Sequence, residues 1–238
     1  MPGVSGIEAV LFDYGRTLVT FAYPKERLLD VIERFRPAIS EATGAAAPPS
    51  EQIMEDVLLP LEAVIESPDE DEVGYFDVYS SAWSRAGIDL PRELLYEILD
   101  AEQQVWDEVA QVEPEAPRLL QWLDKRRIKR AVCSNAPFPP EMMLRQVEKN
   151  GIAALMDAVV FSSGLGRRKP APEVYQAALE AVGVEAGRAL FVGDRVREDY
   201  EGPRSVGMRA VICVAHATEP PPDGIPTIAS LKDLPGIL

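Results

Sequence analysis

Hydrophobic positions along the chain gather into five short, continuous runs: Val10 to Tyr14, Ala131 to Asn135, Ala158 to Ser163, Ala189 to Asp194 and Ala210 to Val214. Runs that are apolar without alternation suit strands covered on both faces, as in a parallel sheet. Between the last four lie helix-like stretches, Glu141 to Asn150, Glu173 to Val182 and Glu198 to Val206. Strands alternating with helices of this length predict a doubly wound, Rossmann-like α/β sheet.

The alternation breaks once, between Tyr14 and Ala131. That interval reads as four helices, over Glu26 to Ile39, Ser50 to Ile65, Asp77 to Ala86 and Pro91 to Val109. Turn-like separators fall at Thr43 to Pro49, at the acidic Pro68 to Glu72, and at Gly87 to Asp89. Pro91 suits the first turn of its helix. Glu113 to Arg127 then resumes a helix that packs on the sheet. The pattern predicts an α/β core from residues 1–20 and 113–238, with an all-helical domain inserted over 21–112. The acidic run is read as a solvated loop rather than a metal site.

Composition narrows the class. Hydrophobic residues make up 47% and charged residues 26% of 238, as in an ordinary globular protein. No apolar run approaches the length of a membrane span, and Met1-Pro2-Gly3-Val4 leads into the first strand without a basic region. A cytoplasmic protein is the expectation. The net charge of −15 would repel nucleic-acid phosphates and argues against such a partner. Cys133 and Cys213 fall inside predicted strands and read as reduced core thiols. The single histidine, His216, sits by the Pro-rich stretch Pro220 to Pro222 and reads as a surface loop residue. Carboxylates, lysine and arginine are therefore left to carry the chemistry.

Ligands of an open α/β sheet collect at the carboxyl ends of its strands. The polar residues there are Asp13, Ser134 with Asn135, Lys169 after the third strand, and Asp194 with Asp199 after the fourth. Any one strand-terminal Asp is as well explained as a helix cap. A nucleophile, a hydroxyl, an ammonium and paired carboxylates delivered together are not. Six of the 24 basic residues also lie in these loops: Arg16, Arg167, Arg168, Lys169, Arg195 and Arg197. Either they focus a small anion onto the site, or Arg167, Arg168 and Arg197 are simply solvated.

The chain resembles the haloacid dehalogenase-like superfamily, in its helical-cap subclass. The resemblance rests on Leu11-Phe12-Asp13-Tyr14-Gly15-Arg16-Thr17-Leu18, then Cys133-Ser134-Asn135, Lys169-Pro170, and Gly193-Asp194 with Asp199, in that order. It continues through Gly202 and Gly207-Met208, and the helical insert is similar to that family's cap. The resemblance implies a hydrolase in which Asp13 attacks phosphorus and forms an aspartyl-phosphate. It implies Mg²⁺ held by Asp13, the backbone carbonyl of Gly15 and Asp194, with Asp199 as ligand or support. Lys169 would neutralise the nucleophile, Ser134 would donate to the phosphoryl oxygens, and Asn135 and Arg16 would face the substrate.

Phosphatases of this family usually carry a second Asp two positions after the nucleophile, as general acid and base. Gly15 stands there, so the metal ligand survives and the proton donor is lost. Three readings stay open: a phosphatase of a small phosphorylated or acyl-phosphate metabolite; a 2-haloacid dehalogenase-like hydrolase, with Arg16 on the substrate carboxylate; or a non-catalytic phospholigand-binding or interaction protein. Substrate choice would belong to the cap, whose Tyr23, Tyr75, Phe76, Tyr79, Trp83 and Trp106 read mainly as core. Thr20 to Pro24 and Val112 to Pro117 are the expected hinges.

Overall fold

The computed structural model describes residues 6–65 and 69–238; Met1 to Val4 and Pro68, used above, lie outside them. In chain order the elements are β1 (Ala9–Phe12), β2 (Val19–Thr20), α1 (Lys25–Thr43), α2 (Ser50–Ile53), α3 (Leu59–Ile65), α4 (Tyr75–Arg85) and α5 (Arg92–Val109). They continue as β3 (Gln111–Val112), α6 (Ala116–Lys125), β4 (Lys129–Ser134), α7 (Pro140–Lys149), β5 (Ala158–Phe161), α8 (Pro172–Val182), β6 (Ala189–Gly193), α9 (Gly202–Ser205), β7 (Arg209–Cys213) and β8 (Thr227–Ile228). Every predicted element is present, with ends shifted by a few residues.

Six strands form one parallel sheet in the order β5-β4-β1-β6-β7-β8. The pleat of β1 shows why its sequence is uniformly apolar. Val10 and Phe12 pack with Leu119, Leu123, Met143 and Val147 of α6 and α7. Ala9 and Leu11 pack with Val174, Tyr175 and Ala178 of α8 on the opposite face. The winding reverses at β1, because the chain runs outward through β4 and β5 and returns to β6 on β1's other side. Ligands of such sheets bind at this switch point.

The helices from α1 to α5 share a core of their own, including Ile32, Val57, Tyr79, Trp83 and Ile98, which Met142 of α7 joins. The two chain segments entering and leaving this layer, β2 and β3, pair antiparallel with Val19 opposite Val112. The expected hinges thus border a short ribbon.

Two helices differ from expectation for one shared reason. Met54–Leu58 and Arg197–Glu201 are wide π turns, and each ends two residues before a proline, Pro60 or Pro203. Proline offers no N–H and its ring crowds the carbonyl four residues back, so the ladder widens ahead of it.

The acidic run is an exposed loop at Asp69 to Asp71, as the sequence suggested, but it is tied to the core and ends on a buried Glu72 side chain. Arg168 N–H donates to Glu70 O at 2.9 Å, and Glu72 N–H to Gly166 O at 3.1 Å. Asp71 bridges Arg167 antiparallel between them. Arg167 pairs with Asp71 and Glu70, and Arg197 reaches Glu70 at 3.9 Å. The Glu72 side chain is buried, accepting from Ser162 Oγ and lying 3.8 Å from the equally buried Arg168. A strip of the helical layer is therefore docked on the core loop that leads into Lys169. Among the described residues no helix is long and apolar enough to cross a membrane.

Candidate active site

Three neighbouring strands at the switch point deliver the acidic residues and the hydroxyl. Asp13 follows β1, its N–H bound to Val192 O at 2.9 Å. Ser134 closes β4 and Asp194 follows β6. Asp199 comes from the π turn ahead of Pro203. One carboxylate oxygen from each of Asp13, Asp194 and Asp199 lies within 4.8 Å of the others, and all three residues are buried. Lys169 is buried among them, its Nζ donating to Asp13 Oδ1 at 2.7 Å and to Asp199 Oδ1 at 2.6 Å.

Each carboxylate has a distinct surrounding. Asp199 Oδ2 accepts the N–H groups of Asp194 at 3.0 Å and Arg195 at 2.9 Å. It thereby braces the loop that presents Asp194. Gly193 makes this possible, since a Cβ there would stand 2.3 Å from the Asp199 carboxyl carbon. Asp194 Oδ2 is buried and has no partner among the described residues. Burial, followed by the charges of Asp13 and Asp199, raises the Asp194 carboxyl to about 7. Burial also lifts Asp199, to about 6, against the opposing pull of Lys169. Burial would lower the lysine, but Asp13 and Asp199 hold its ammonium well above its ordinary range.

Three carboxylates against one ammonium leave an excess of negative charge out of water, which a cation relieves. The donors are all hard oxygens, and a buried one is unpaired, so the cluster fits a small divalent ion such as Mg²⁺.

Asn135 turns out to be occupied. Its Oδ1 accepts Lys169 N–H at 2.7 Å and its Nδ2 donates to Lys169 O at 3.0 Å. Its side chain thereby braces the main chain of Lys169, and the residue still lines the cavity described next. Ser134 and Arg16 both border a cavity of about 450 Å³ between the helical layer and the sheet. Arg16 adopts a left-handed backbone, φ +58°, uncommon for a side chain of its size. Gly15 does not, and a Cβ there would meet only Phe21 at 3.7 Å. Arg167 and Arg197 are part-exposed, with Arg167 ion-paired to the acidic strip and Arg197 3.9 Å from Glu70, whereas Arg168 is buried 3.8 Å from Glu72. His216 lies in a turn at the surface, 2.5 Å from Glu113. Both cysteines are buried and free.

Of the aromatic residues, Tyr79 and Trp83 are core as expected, whereas Tyr23, Tyr75 and Trp106 line the cavity with Phe21. Sequence reading missed several polar residues that border it: Glu102 and Gln103 on α5, and Gln146 on α7. A signal for Glu102 was available. It follows Leu95, Ile98 and Leu99 at helical spacing, an acid placed in an apolar stripe. Burial raises its carboxyl to about 8, although the hydrogen bond from Tyr79 Oη at 3.0 Å acts the other way.

That shift has a consequence for stability. The folded state keeps the Glu102 proton where the unfolded chain has already released it, so stability falls as pH rises from the ordinary carboxylate range through about 8. Glu102→Gln keeps the shape and the acceptor for Tyr79 and removes the ionisation. The variant is expected to match the parent protein near pH 4.5 and to exceed it above pH 8, by an amount on the order of a few kcal/mol. Urea unfolding at the two pH values checks this, and equal differences at both would refute it.

A parallel α/β sheet whose switch point carries an aspartate cluster bridged by a buried lysine defines a hydrolase-type core with a helical insert. The sequence profile of haloacid dehalogenase-like hydrolases matches residues 7–207, and the chain belongs to that family. It is 38% identical over 103 residues to a phosphoglycolate phosphatase of Rhodospirillum rubrum, covering 43% of this chain and 42% of that one. It is 33% identical over 98 residues to a phosphoserine phosphatase of Thermus thermophilus, covering 41% and 39%. The matched stretches thus span less than half the length of these curated relatives. Among solved structures, a 2-haloacid dehalogenase of Pseudomonas syringae pv. Tomato superposes with a TM-score of 0.72 at 23% identity, covering 97% of each chain. A phosphatase of the family from Thermococcus onnurineus gives 0.62 at 24%, also covering 97% of each. At these identities the structures establish the fold.

Proposed function

We propose that the protein is a Mg²⁺-dependent phosphatase of a small phosphorylated or acyl-phosphate metabolite, with Asp13 as nucleophile. The observation that carries this reading is the unpaired, buried Asp194 Oδ2 beside Asp13 and Asp199. Displacing halide from carbon needs no cation, and a dehalogenase would gain nothing from a third buried carboxylate. Phosphoryl transfer does need one, because a carboxylate must approach a dianion.

Asp13 and Asp194 would hold the ion with the Gly15 main-chain carbonyl, and Asp199 would steady the loop behind them. When bound, the ion supplies positive charge to the phosphoryl oxygens. Lys169 orients Asp13 and offsets its charge. Asp13 attacks phosphorus in line, the P–O bond to the leaving group breaks, and an aspartyl-phosphate forms. Ser134 donates to the phosphoryl oxygens. Water then cleaves the acyl phosphate, releasing phosphate and restoring the Asp13 carboxylate. With glycine at position 15, the leaving group departs without a proton from that position. Acyl phosphates and aryl esters, whose leaving groups are stable as anions, suit such a site best. The insert over residues 21–112 would act as a cap above the core of residues 1–20 and 113–238.

Phosphate release from acetyl phosphate and an activated aryl phosphate tests the reading, with halide release from a 2-haloacid measured alongside. Release should require Mg²⁺. Halide release would transfer the assignment to the dehalogenase reading, and silence with retained Mg²⁺ binding would favour a phospholigand-binding role. Binding has its own signature. Protons compete with the ion at Asp194 and Asp199, so Mg²⁺ should raise the melting temperature more at pH 8 than at pH 5. Asp194→Asn should remove most of that increment, as differential scanning fluorimetry would read.

A further inference from the structure

The cavity beside Ser134 runs from the nucleophile's turn into the helical layer, and its walls are mainly hydrocarbon. Leu58, Leu61 and Leu99 line it from that layer's own core, and Phe21, Trp106 and Phe138 add aromatic rings. A run of ring contacts starts beside the nucleophile. Tyr14 meets Phe21 at a centroid distance of 6.2 Å, Phe21 meets Trp106 at 6.3 Å, and Trp106 meets Tyr23 at 5.7 Å. Phe21 and Tyr23 nevertheless stay 37% and 42% exposed, so part of this apolar surface is open to solvent. Charge is scarce. Among the described lining residues, formal charge near neutral pH can come only from Arg16, Glu62 and Glu102. Arg16 also borders the neighbouring depression of Asp194 and Arg195, which puts it at the phosphoryl end. Glu62 is exposed, and burial keeps Glu102 protonated up to about 8. Gln103 and Gln146 donate to Asp107 Oδ1 at 3.3 and 3.2 Å, and their Oε1 atoms are closed off. The polar tips that remain, the Tyr23 and Tyr75 hydroxyls and the Trp106 indole N–H, are neutral.

We propose that this cavity receives an uncharged, mainly hydrocarbon leaving group of medium chain length or ring size, so that the substrate is the phosphate of an apolar acid or phenol. Each methylene moved from water onto these walls should strengthen transition-state binding about threefold. A carboxylate or a second phosphate carried into the same walls would lose its hydration, with no cation beyond Arg16 among the described lining residues to replace it. An ammonium would fare no better, because the buried acid there keeps its own proton. The tyrosine hydroxyls and the indole N–H allow an isolated polar atom on such a body without selecting a charge. A volume of about 450 Å³ is ample for such a group. The inference rests on the phosphatase reading for the position of the phosphoryl group.

Acyl phosphates test it, because acetate, butanoate, hexanoate and 3-phenylpropanoate are leaving groups of nearly equal basicity. From acetyl through butanoyl to hexanoyl phosphate, kcat/KM should rise about threefold per methylene, on the order of a hundredfold in all. 3-Phenylpropanoyl phosphate should at least equal the hexanoyl compound. Adipoyl monophosphate, which replaces the terminal methyl of that chain by a carboxylate, should fall at least about tenfold below it. Phe21→Ser and Trp106→Ser should each shrink the hexanoyl-to-acetyl ratio, mainly through KM; Phe21 is part-exposed and can be trimmed without opening the core. A flat or falling series, preference for the adipoyl compound, or a ratio unmoved by both variants overturns the proposal. Methylphosphonate and hexylphosphonate separate it from the phosphatase reading, since neither can transfer its phosphoryl group. If no acyl phosphate turns over but calorimetry with Mg²⁺ shows hexylphosphonate binding at least about tenfold more tightly, the cavity assignment stands and the catalytic one falls. Equal binding of the two, or binding of neither, overturns the cavity assignment.

Discussion

Asp13→Asn is expected to remove phosphate release, by a factor on the order of 10⁴ or more, without unfolding the protein. The amide keeps an oxygen to accept from Lys169 but cannot form an acyl phosphate. Its effect on the fold follows from the local charge. Three carboxylates facing one ammonium become two, so the repulsion that helps to raise Asp194 and Asp199 is reduced. The metal-free variant should therefore melt no lower than the parent protein at pH 8, and Mg²⁺ should stabilise it less. Phosphate release measured beside thermal melts distinguishes loss of chemistry from loss of structure. A variant that retains even a hundredth of the activity would remove Asp13 from the nucleophile's role.

The second large effect is a gain. Gly15 lacks a left-handed backbone, and a Cβ there would touch only Phe21 at an ordinary distance. Glycine is not demanded at this position, and an aspartate fits without backbone strain. Gly15→Asp would place a carboxyl at the cavity wall, two residues beyond the nucleophile, where it can protonate a departing alkoxide. For alkyl phosphates, whose leaving groups are strongly basic, kcat should rise by about 10²–10⁴. The gain should be much smaller for acetyl phosphate, whose leaving carboxylate needs no proton. A Brønsted series of phosphate esters reads the difference directly: the dependence of rate on leaving-group basicity should flatten in the variant. An unchanged slope would mean that the proton comes from elsewhere.

Much of this architecture was legible in the sequence because its determinants are local. Uniformly apolar runs such as Val10 to Phe12 mark strands covered on both faces. Asp13, Ser134, Lys169 and Asp194 follow from where those strands and their loops end. The residues that escaped notice act through contacts distant in the chain. Asn135 reads from the sequence as a substrate ligand, and its grip on the backbone of Lys169 is a contact the sequence does not show. Gln103, Asp107 and Gln146 carry no local pattern, and their arrangement exists only where α5 meets α7. The π turns were detectable in principle from Pro60 and Pro203, whose effect on the preceding turn is a property of the ring. The acidic run is solvated over Asp69 to Asp71 as read, but its cationic partners and the buried Glu72 side chain lie beyond what composition can show.

That docked strip ties the helical layer to the loop that carries Lys169. The hydrogen bonds joining residues 70–72 to 166–168 end one position before Lys169, the residue that sets the charge on Asp13 and Asp199. Arg168, buried beneath the strip, also donates to Ile65 O at the end of α3. A helical layer that lifted to admit substrate would peel this strip and uncover Arg168 next to the lysine. Such a movement would also bring the buried Glu72 carboxylate and Arg168 guanidinium back into water, so the closed arrangement is the one in which this pair is shielded.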